Sequence, residues 1–490
     1  MAGQPPESGM FGQARHERMA VSFTGPESGT APLSWGQRAI WQDMQDSGNQ
    51  FNMGGMFELP GGSSVQDAAA RLRGLMSRHA ALRVRLAAGP AGGICQQVAG
   101  SGPTGLDILT IPDDVSQAGL ARYAADLMDT WPPRLRLDFH RDWPLRMAVL
   151  RHRGACTHLV WVLSHLVADG GAHLLLLDDL VAHETAGPGP GEPRRPDLLD
   201  VARREQEPQL RSLSTRAIRY WEAALRDIPA QTFSGIPAQV SAGSGPQGQG
   251  EPQYWQARFS SPAAHLAMQA IASRTRTDAT RVTLAVIATA IGRITGAHRL
   301  TLKVMASNRF RPGMADVIAP IAQNSVVTID VADTSVDEVV ARARGASLTA
   351  SMRAYYDPDE LGEVMARLDA ERGYRARVTC RVNDQRAMIM RPDEEADVGE
   401  VTPEHVRQRL AETSLTSLGV RENMHEQANI LVENKPGVVS LHMMWDLRCL
   451  TRQQAGQLLR SVEEIAVEAA FDPAAPTLVR SARAETPHED

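Results

Sequence analysis

The stretch Cys156–Leu180, CTHLVWVLSHLVADGGAHLLLLDDL, determines how the rest of the chain is interpreted. An apolar run ends at His165, and a leucine-rich pattern with helical spacing follows Asp169 and Gly170. Side chains alternate along a strand, yet apolar residues occupy both sets of positions before His165. A strand that is apolar on both faces is typical of the interior of a sheet. The stretch therefore predicts a buried strand, a turn beginning at His165, and a helix.

His165 is the residue of this stretch that carries chemistry. Because burial of an unpaired imidazole is costly, His165 is either a hydrogen-bonded core residue or a functional one. Gly170 permits a tight turn into the helix, and Asp169 can accept hydrogen bonds from that turn or pair with an arginine. Such pairing would fix the loop that carries His165. A fixed, neutral imidazole is a natural general base, worth about 10²- to 10⁴-fold in rate.

The composition is that of a soluble globular protein, and it argues against several classes of function. The 490 residues suffice for two or three domains, and 43% are hydrophobic and 22% charged. The net charge of −6 and the scattered basic residues argue against a nucleic-acid partner. No apolar run reaches the roughly 18 residues that a membrane span needs, so we predict none. The four cysteines lack metal-ligand spacing, which predicts free thiols in a reducing cytoplasm and no metal site.

Strands and amphipathic helices alternate in both halves of the chain, which predicts an α/β fold. Segments rich in Gly, Pro and Ser separate the two halves and begin the chain. The predicted segments are a disordered tail (1–30), an N-terminal lobe (31–190), a linker with a helix over 210–225 (191–253), a C-terminal lobe (254–475) and a second disordered tail (476–490).

Ser164–Gly170 resembles the HHxxxDG motif of condensation domains in nonribosomal peptide synthetases. More widely, it resembles the HxxxDG acyltransferase group, which includes chloramphenicol acetyltransferase. The second histidine of the motif falls on His165, and Ser164 replaces the first. Further segments resemble family motifs and follow in family order: Ser34–Trp41 (SWGQRAIW), Arg78–Arg83 (RHAALR), Tyr220-Trp221 and Ile318–Ser325 (IAPIAQNS). The resemblance extends over residues 31–475.

The resemblance implies two chloramphenicol-acetyltransferase-like α+β lobes in a V-shaped arrangement, with the active site in a tunnel between them. It implies that His165 is the catalytic base or positions the nucleophile, and that Asp169 and Gly170 are structural. The residues expected at the tunnel or the substrate are Ser164, Arg309 and Asn324. We consider Arg83 or Arg309 as the partner of Asp169, because the arginine that often follows the family's NT dipeptide is absent here.

The resemblance also implies an acyltransferase. It would join an acyl or aminoacyl thioester, carried on the phosphopantetheine arm of an acyl or peptidyl carrier protein, to an amine or alcohol. The acceptor would be a small molecule or a second carrier protein, and no cofactor would be bound. The setting would be antibiotic or other natural-product biosynthesis in the bacterial cytoplasm, with the chain free-standing. Two alternatives stay open: a coenzyme A-dependent acyltransferase and, because Ser164 replaces a histidine, a non-catalytic recruitment module.

Overall fold

The computed structural model describes residues 14–89, 92–182, 195–228, 253–375, 377–386, 401–421 and 426–481. The chain divides into two compact units. Unit 1 comprises Met1–Arg211 and Asn308–Ala322, and unit 2 comprises Ser212–Ser307 and Gln323–Asp490. The sequence-based division assigned residues 254–475 to one lobe. The structure differs at Asn308–Ala322, a segment that returns to unit 1.

Unit 1 contains two sheets and five helices among its described residues. The strands of the larger sheet are β1 (Arg15–Thr24), β3 (Asn52–Glu58), β6 (Ser101–Ile111), β7 (Leu145–His152) and β8 (Ala155–Ser164), in the order β1-β6-β7-β8-β3. The smaller sheet consists of β2 (Gly29–Pro32), β4 (Val84–Ala88) and β5 (Ile94–Val98). The helices are α1 (Trp35–Ser47), α2 (Val65–Arg78), α3 (Gln117–Arg134), α4 (Gly170–Val181) and α5 (Leu198–Arg204).

The strand that carries the motif, β8, lies between β7 and β3, and both pairings are antiparallel. Every residue from His158 to Ser164 is buried. This burial explains why the strand is apolar at odd and even positions alike. Trp161 and Leu163 point towards leucines of α2 and α4, with which they line a small pocket. The predicted order of buried strand, turn and helix is confirmed by β8 and α4.

Unit 2 is built on a seven-stranded sheet. Its strands are β9 (Tyr254–Ser261), β10 (Arg299–Ala306), β11 (Gln323–Asp330), β12 (Cys380–Asp384), β13 (Ser414–Arg421), β14 (Ala428–Glu433) and β15 (Val439–Asp446), in the order β11-β10-β12-β14-β15-β9-β13. The helices are α6 (Pro208–Arg226), which starts just before the unit boundary, α7 (Pro262–Thr275), α8 (Ala279–Thr295), α9 (Val336–Met352), α10 (Pro358–Arg372), α11 (Pro403–Arg409) and α12 (Arg452–Ala469).

The core of unit 2 lies between its sheet and the helices α7, α8, α9 and α12. Small residues dominate the helical side, and α8 is buried along nearly its whole length because the other three helices contact it. The largest fully buried side chains from the sheet are Phe259 and Trp445. Full burial of such a side chain contributes about 1.5–3 kcal/mol relative to exposure.

The prediction of a disordered tail over residues 1–30 is wrong from Arg15 onward. Arg15–Thr24 forms β1, which pairs with β6 along its whole length. Val21 and Phe23 of this strand are buried. The composition indicated disorder because polar residues are frequent in β1. The alternation of buried and exposed side chains along β1 stabilises the strand only when β6 supplies hydrogen-bond partners. Residues 1–13 lie outside the described chain.

The predicted tail over residues 476–490 is also ordered at its start. Thr477 N donates to Thr334 O, and Val479 is buried with its carbonyl accepting from Asp333 N. These contacts tie the segment to the loop before α9, a constraint that composition does not reveal. Residues 482–490 lie outside the described chain.

The predicted linker over residues 191–253 contains more structure than its composition indicated. The expected helix over 210–225 is present as α6, and α5 precedes it. The remaining linker residues 191–194 and 229–252 lie outside the described chain. Within the described ranges, no helix is long and apolar enough to cross a membrane. Likewise, no cluster of three or more His, Cys, Asp and Glu residues in the described chain could hold a metal ion.

Candidate active site

His165 is the first residue after β8 and begins the turn that leads into α4. Its side chain is half-buried. Its Nδ1 atom is buried and makes no hydrogen bond with any residue that the structure describes. A buried polar atom without a partner costs about 1–3 kcal/mol. The imidazole therefore differs from a satisfied core histidine.

Ser164, at the position of the first motif histidine, shapes the turn. Its backbone N donates to Pro144 O at 2.9 Å, and its Oγ accepts from Leu166 N at 3.2 Å. The side chain is fully buried. Strand alternation directs residue 164 to the face of β8 opposite to that of His165. The expected place of Ser164 at a tunnel or substrate stays a prediction.

Asp169 caps α4 and receives hydrogen bonds from two segments of the chain. Its Oδ1 accepts from Ala172 N at 2.8 Å and from Arg309 Nη2 at 2.5 Å. Its Oδ2 accepts from Ile321 N and Ala322 N, both at 3.0 Å. The residue is 2% exposed. With both oxygens occupied, the carboxylate holds the turn after His165 in place and has no free oxygen for proton transfer.

Arg309, the partner of Asp169, organises the loop Asn308–Ala322. Its Nη1 donates to Val317 O at 2.9 Å and to Ala315 O at 3.2 Å. The geometry therefore supports the pairing role that we considered for Arg309. Backbone carbonyls and Asp169 occupy the terminal nitrogens of the guanidinium, and the expected place of Arg309 at the tunnel or substrate stays a prediction.

Asn308, the first residue of this loop, contacts the end of the loop at Ile321. It adopts a positive φ of 58° and is fully buried. Its Nδ2 donates to Ile321 O at 2.9 Å, next to the two amides that reach Asp169. Asparagine tolerates this left-handed conformation better than most residues. No local pattern of the sequence reveals that Asn308 closes the loop.

The glycine that the turn requires is Gly171. A Cβ atom at Gly171 would lie 2.1 Å from Arg309 Nε, whereas a Cβ at Gly170 would meet no atom within 4 Å. Gly170 also lacks a positive φ. The conformation of Gly170 thus does not require glycine, and its expected structural role stays a prediction. The Gly-Gly pair was the available signal for Gly171, but only the approach of Arg309 distinguishes its two members.

Arg83 lies elsewhere in unit 1 and is not the partner of Asp169. Its Nη1 donates to Glu27 O at 2.7 Å and to Ala99 O at 2.5 Å, and its Nη2 lies 3.4 Å from the Glu27 carboxylate. The side chain is fully buried and packs against Gly25. Burial lowers its pKa, while the carboxylate of Glu27 opposes this shift. Arg83 thus links Glu27, before β2, to Ala99, the residue after β5.

A second histidine, His173, lies on α4 above the face of β8 that includes His165. Trp161 Nε1 donates to His173 Nε2 at 2.9 Å, so this nitrogen is unprotonated in the neutral ring. Burial lowers the pKa of His173, and the nearby His165 lowers it further. The side chains of Trp161 and His173 line a small apolar pocket between α2, α4 and the sheet. The contact of His173 with Trp161 supports a packing role for this histidine.

Asn324 belongs to unit 2, where it lies on β11 opposite Met305 of β10. Its Oδ1 is buried and has no hydrogen-bond partner among the described residues. An amide oxygen in this state can accept a hydrogen bond from a ligand. Its assignment to the substrate site remains a prediction.

Comparison with known proteins identifies the family. A family model for the condensation domain matches residues 27–374. This chain belongs to the condensation domain family. The condensation domain is 27% identical over 221 residues to chondramide synthase cmdD of Chondromyces crocatus, an alignment that covers 41% of this chain and only 5% of the synthase. The chain therefore spans a small part of that relative.

Solved structures of condensation domains have the same fold. One mediates chain release from the enacyloxin polyketide synthase; it has a TM-score of 0.67 and 17% identity, and the match covers 92% of this chain and 85% of that one. The X-domain in its complex with OxyB from teicoplanin biosynthesis has a TM-score of 0.63 and 18% identity, with 93% and 96% covered. The predicted two-lobe, chloramphenicol-acetyltransferase-like fold is thus confirmed. The family in general forms amide or ester bonds by condensation.

Proposed function

We propose that this condensation domain transfers an acyl or aminoacyl group from a carrier-protein phosphopantetheine thioester to an amine or alcohol acceptor. The observation that carries the proposal is the placement of His165. Its half-buried imidazole has an unpaired Nδ1, and it lies at the start of a turn that Asp169 holds through four hydrogen bonds. A general base needs this combination of a fixed position and a ring nitrogen that is not already bonded.

The chemistry assigned to His165 is proton transfer. The neutral imidazole accepts the proton of the attacking amine or hydroxyl while the nitrogen or oxygen forms a bond to the thioester carbonyl carbon. The carbon–sulfur bond of the resulting tetrahedral intermediate then breaks, and the imidazolium returns its proton to the departing thiolate. The products are the amide or ester and the free thiol of the carrier arm. No oxidant, metal or bound cofactor takes part in this balance.

Asp169 and Arg309 are positioning residues in this proposal. They hold the backbone between the end of β8 and the start of α4, so the imidazole keeps one orientation. A misplacement of about 1 Å at such a group is enough to cost 10²-fold in rate. Ser164 has no catalytic part, because its hydroxyl is buried and bonded within the turn.

The proposed partners follow from the donor. They are an acyl or peptidyl carrier protein that supplies the thioester and a small-molecule acceptor or second carrier protein. Coenzyme A is the alternative donor, since it carries the same thioester-bearing phosphopantetheine arm. We further propose a role in bacterial natural-product biosynthesis, antibiotic formation included, in the cytoplasm.

The test is transfer by the wild type and by the variant His165→Ala. Donor acyl groups are offered on a carrier protein and on coenzyme A in parallel, and intact-mass analysis follows loss of the acyl group and formation of product. We expect at least about 10²-fold slower transfer in the variant. His405→Ala, at an exposed histidine of α11, is the matched control and should retain wild-type turnover. Unchanged turnover in His165→Ala would remove the catalytic role.

A recruitment module is the second candidate function, and the state of Ser164 favours it. Ser164, at the first motif position, has a small side chain whose Oγ accepts a hydrogen bond from Leu166 N within the turn. The X-domain of teicoplanin biosynthesis, which is similar in fold, forms a complex with OxyB. Stable binding of a carrier protein with no transfer from either donor would support recruitment. Transfer from coenzyme A alone would instead support the free acyltransferase.

A further inference from the structure

A hydrogen bond between Trp161 and His173 decides where this histidine carries its proton. An indole Nε1 can only donate, and that of Trp161 donates to His173 Nε2 at 2.9 Å. This ring nitrogen must therefore carry a lone pair, and the proton of the neutral imidazole lies on Nδ1. Protonation of Nε2 would set two N–H groups against each other. His173 can thus become charged only if its bond to Trp161 breaks.

The indole of Trp161 is held in place by the neighbouring strand β3. Trp161 lies directly opposite Gly55, and a Cβ atom at Gly55 would lie 2.1 Å from Trp161 Cζ2. The indole therefore occupies the space above a residue that has no side chain. Phe57, two residues further along β3, contacts the same ring with the two centroids 5.9 Å apart. These contacts fix the direction of the indole N–H group independently of His173.

The backbone of His173 is bonded to the turn that carries His165. His173 N donates to Asp169 O at 2.8 Å, in the first turn of α4. The side chain of Asp169 holds the same turn. One residue therefore places both histidines. Burial lowers the pKa of His173 and His165 lowers it further, so the two rings are close enough for their charges to interact.

The side chains around His173 are apolar, so they offer no compensation for a charge. The pocket that His173 and Trp161 line also includes Leu75 of α2, Leu145 and Met147 of β7, Leu163 of β8, and Leu176 and Leu177 of α4. Asp178 and Asp179 lie off the face of α4 that His173 shares with these two leucines. Burial of an ion without a counter-charge favours the neutral form.

The charged side chains of the elements around His173 have other partners. Among the described residues, the titratable group that acts on the pKa of His173 is His165, and no carboxylate does. A charge on His173 would therefore act mainly on His165. The other pairs are Arg71 of α2 with Leu180 O, Arg146 of β7 with Asp142, His79 with Asp179, and Arg309 with Asp169.

We propose that the hydrogen bond from Trp161 keeps His173 uncharged, so that His165 is the imidazole of this pair that takes up the proton during transfer. A charged neighbour would oppose the uptake of the acceptor's proton by His165. The uncharged ring of His173 leaves that proton to His165. Trp161 and His173 are therefore positioning residues that lie outside the motif Ser164–Gly170. This inference rests on the proposed function, since it concerns the base of that reaction.

The protonation of both histidines can be measured without turnover. The full chain, with its histidine rings labelled with ¹³C and ¹⁵N, is titrated between pH 8 and pH 5 and followed by NMR. Signals of His165 and His173 are assigned by their absence from the spectra of His165→Ala and His173→Asn. We expect His173 to keep the Nδ1–H form to below the usual 6.5, while His165 titrates in one step. A wild-type His173 that protonates at or above 6.5 would overturn the inference.

Trp161→Phe removes the donor and retains an aromatic ring. His173 should then protonate at a higher pH than in the wild type, and the titration curve of His165 should change from one step to two coupled steps. Trp131→Phe is the matched control. Trp131 is a fully buried residue of unit 1 whose Nε1 has no partner among the described residues, so both curves should stay unchanged. Unchanged curves in Trp161→Phe would also overturn the inference.

Transfer assays separate this inference from the proposed function. His173→Ala should lower kcat about tenfold with little change in KM, because Trp161 keeps an unpaired N–H group on the face of β8 that includes His165. Asparagine offers Trp161 an acceptor that takes up no proton, so His173→Asn should restore most of kcat. Equal losses in the two variants would contradict the inference. An uncharged His173 in a wild type without transfer would support the inference about its protonation and count against the proposed function only.

Discussion

Asp169 accepts hydrogen bonds from residues up to 153 positions away in the chain. One oxygen serves α4 and Arg309, and the other serves two backbone amides of the loop that Arg309 folds. Asp169 thus joins the turn after His165 to the loop Asn308–Ala322. In the sequence, this loop lies between β10 and β11 of unit 2. At the scale of single residues, the chemistry of His165 depends on this anchoring, because a base in a mobile turn would lose its orientation.

Asp169→Asn should destabilise unit 1 and slow transfer. The neutral side chain leaves Arg309 without its carboxylate and turns an NH₂ group towards backbone donors or towards the guanidinium. Breaking a buried ion pair in this way costs about 3–5 kcal/mol. Denaturant unfolding of Asp169→Asn, Arg309→Gln and the double variant measures the coupling. Additive losses in the double variant would contradict a direct interaction.

The neighbouring glycines should respond in opposite ways to alanine. Gly171→Ala places Cβ against the Arg309 side chain and should cost about 1–3 kcal/mol. Gly170→Ala meets open space at the start of α4 and should be neutral or stabilising by up to about 1 kcal/mol. Thermal unfolding of the two variants side by side provides the measurement. A larger loss at Gly170 than at Gly171 would contradict the assignment.

At the scale of elements, three strands of unit 2 are linked through Glu433. This residue of β14 contacts Arg258 of β9 and Ser440 of β15, and Lys435 follows it in the chain. Burial acts to raise the pKa of Glu433. Hydrogen bonds from Lys435, Ser440 and Arg258 outweigh burial and lower the pKa to about 2. The folded sheet thus favours the ionised carboxylate.

This shift predicts a dependence of stability on pH. Because the folded pKa of Glu433 lies below the usual 4.5, the residue stabilises the fold above pH 4.5 and loses this effect as the pH falls towards 2. Glu433→Gln should therefore cost stability at pH 7, and the difference from wild type should shrink between pH 4.5 and 2. Urea unfolding of both proteins over that range is the measurement. A difference that stays constant with pH would contradict the prediction.

At the scale of the whole molecule, the net charge is moderately negative. The chain has a net charge of −6 and a pI of about 6.2. A net charge away from zero keeps molecules apart at neutral pH.

The condensation domain should be least soluble near pH 6.2. Repulsion between molecules vanishes where the net charge approaches zero. Light scattering or precipitation across pH 5 to 8 at low salt should show a maximum of association close to that value. If apolar contacts dominate the association, added salt should change the pH profile little. A pH profile with no maximum of association would contradict the dependence on net charge.

Local patterns predicted much of the fold. The apolar run before His165 predicted β8, and the leucine spacing after Gly170 predicted α4. Ser34 and Ser64 form capping boxes at the starts of α1 and α2. These features depend on neighbours within a few residues, which sequence displays directly. Strand β1 was missed because its stability comes from β6, about ninety residues away.

The sequence alone determined the strand, turn and helix around the motif, the family motif itself and the candidate base at His165. These properties depend on side-chain periodicity and on residue types at short, fixed spacing. Only the tertiary structure decided that Arg309 and not Arg83 pairs with Asp169, that Gly171 is the glycine without room, and that Ser164 is enclosed within the turn. Arg309 and Asp169 are separated by 140 residues, and no local pattern encodes which of 49 arginines reaches one carboxylate.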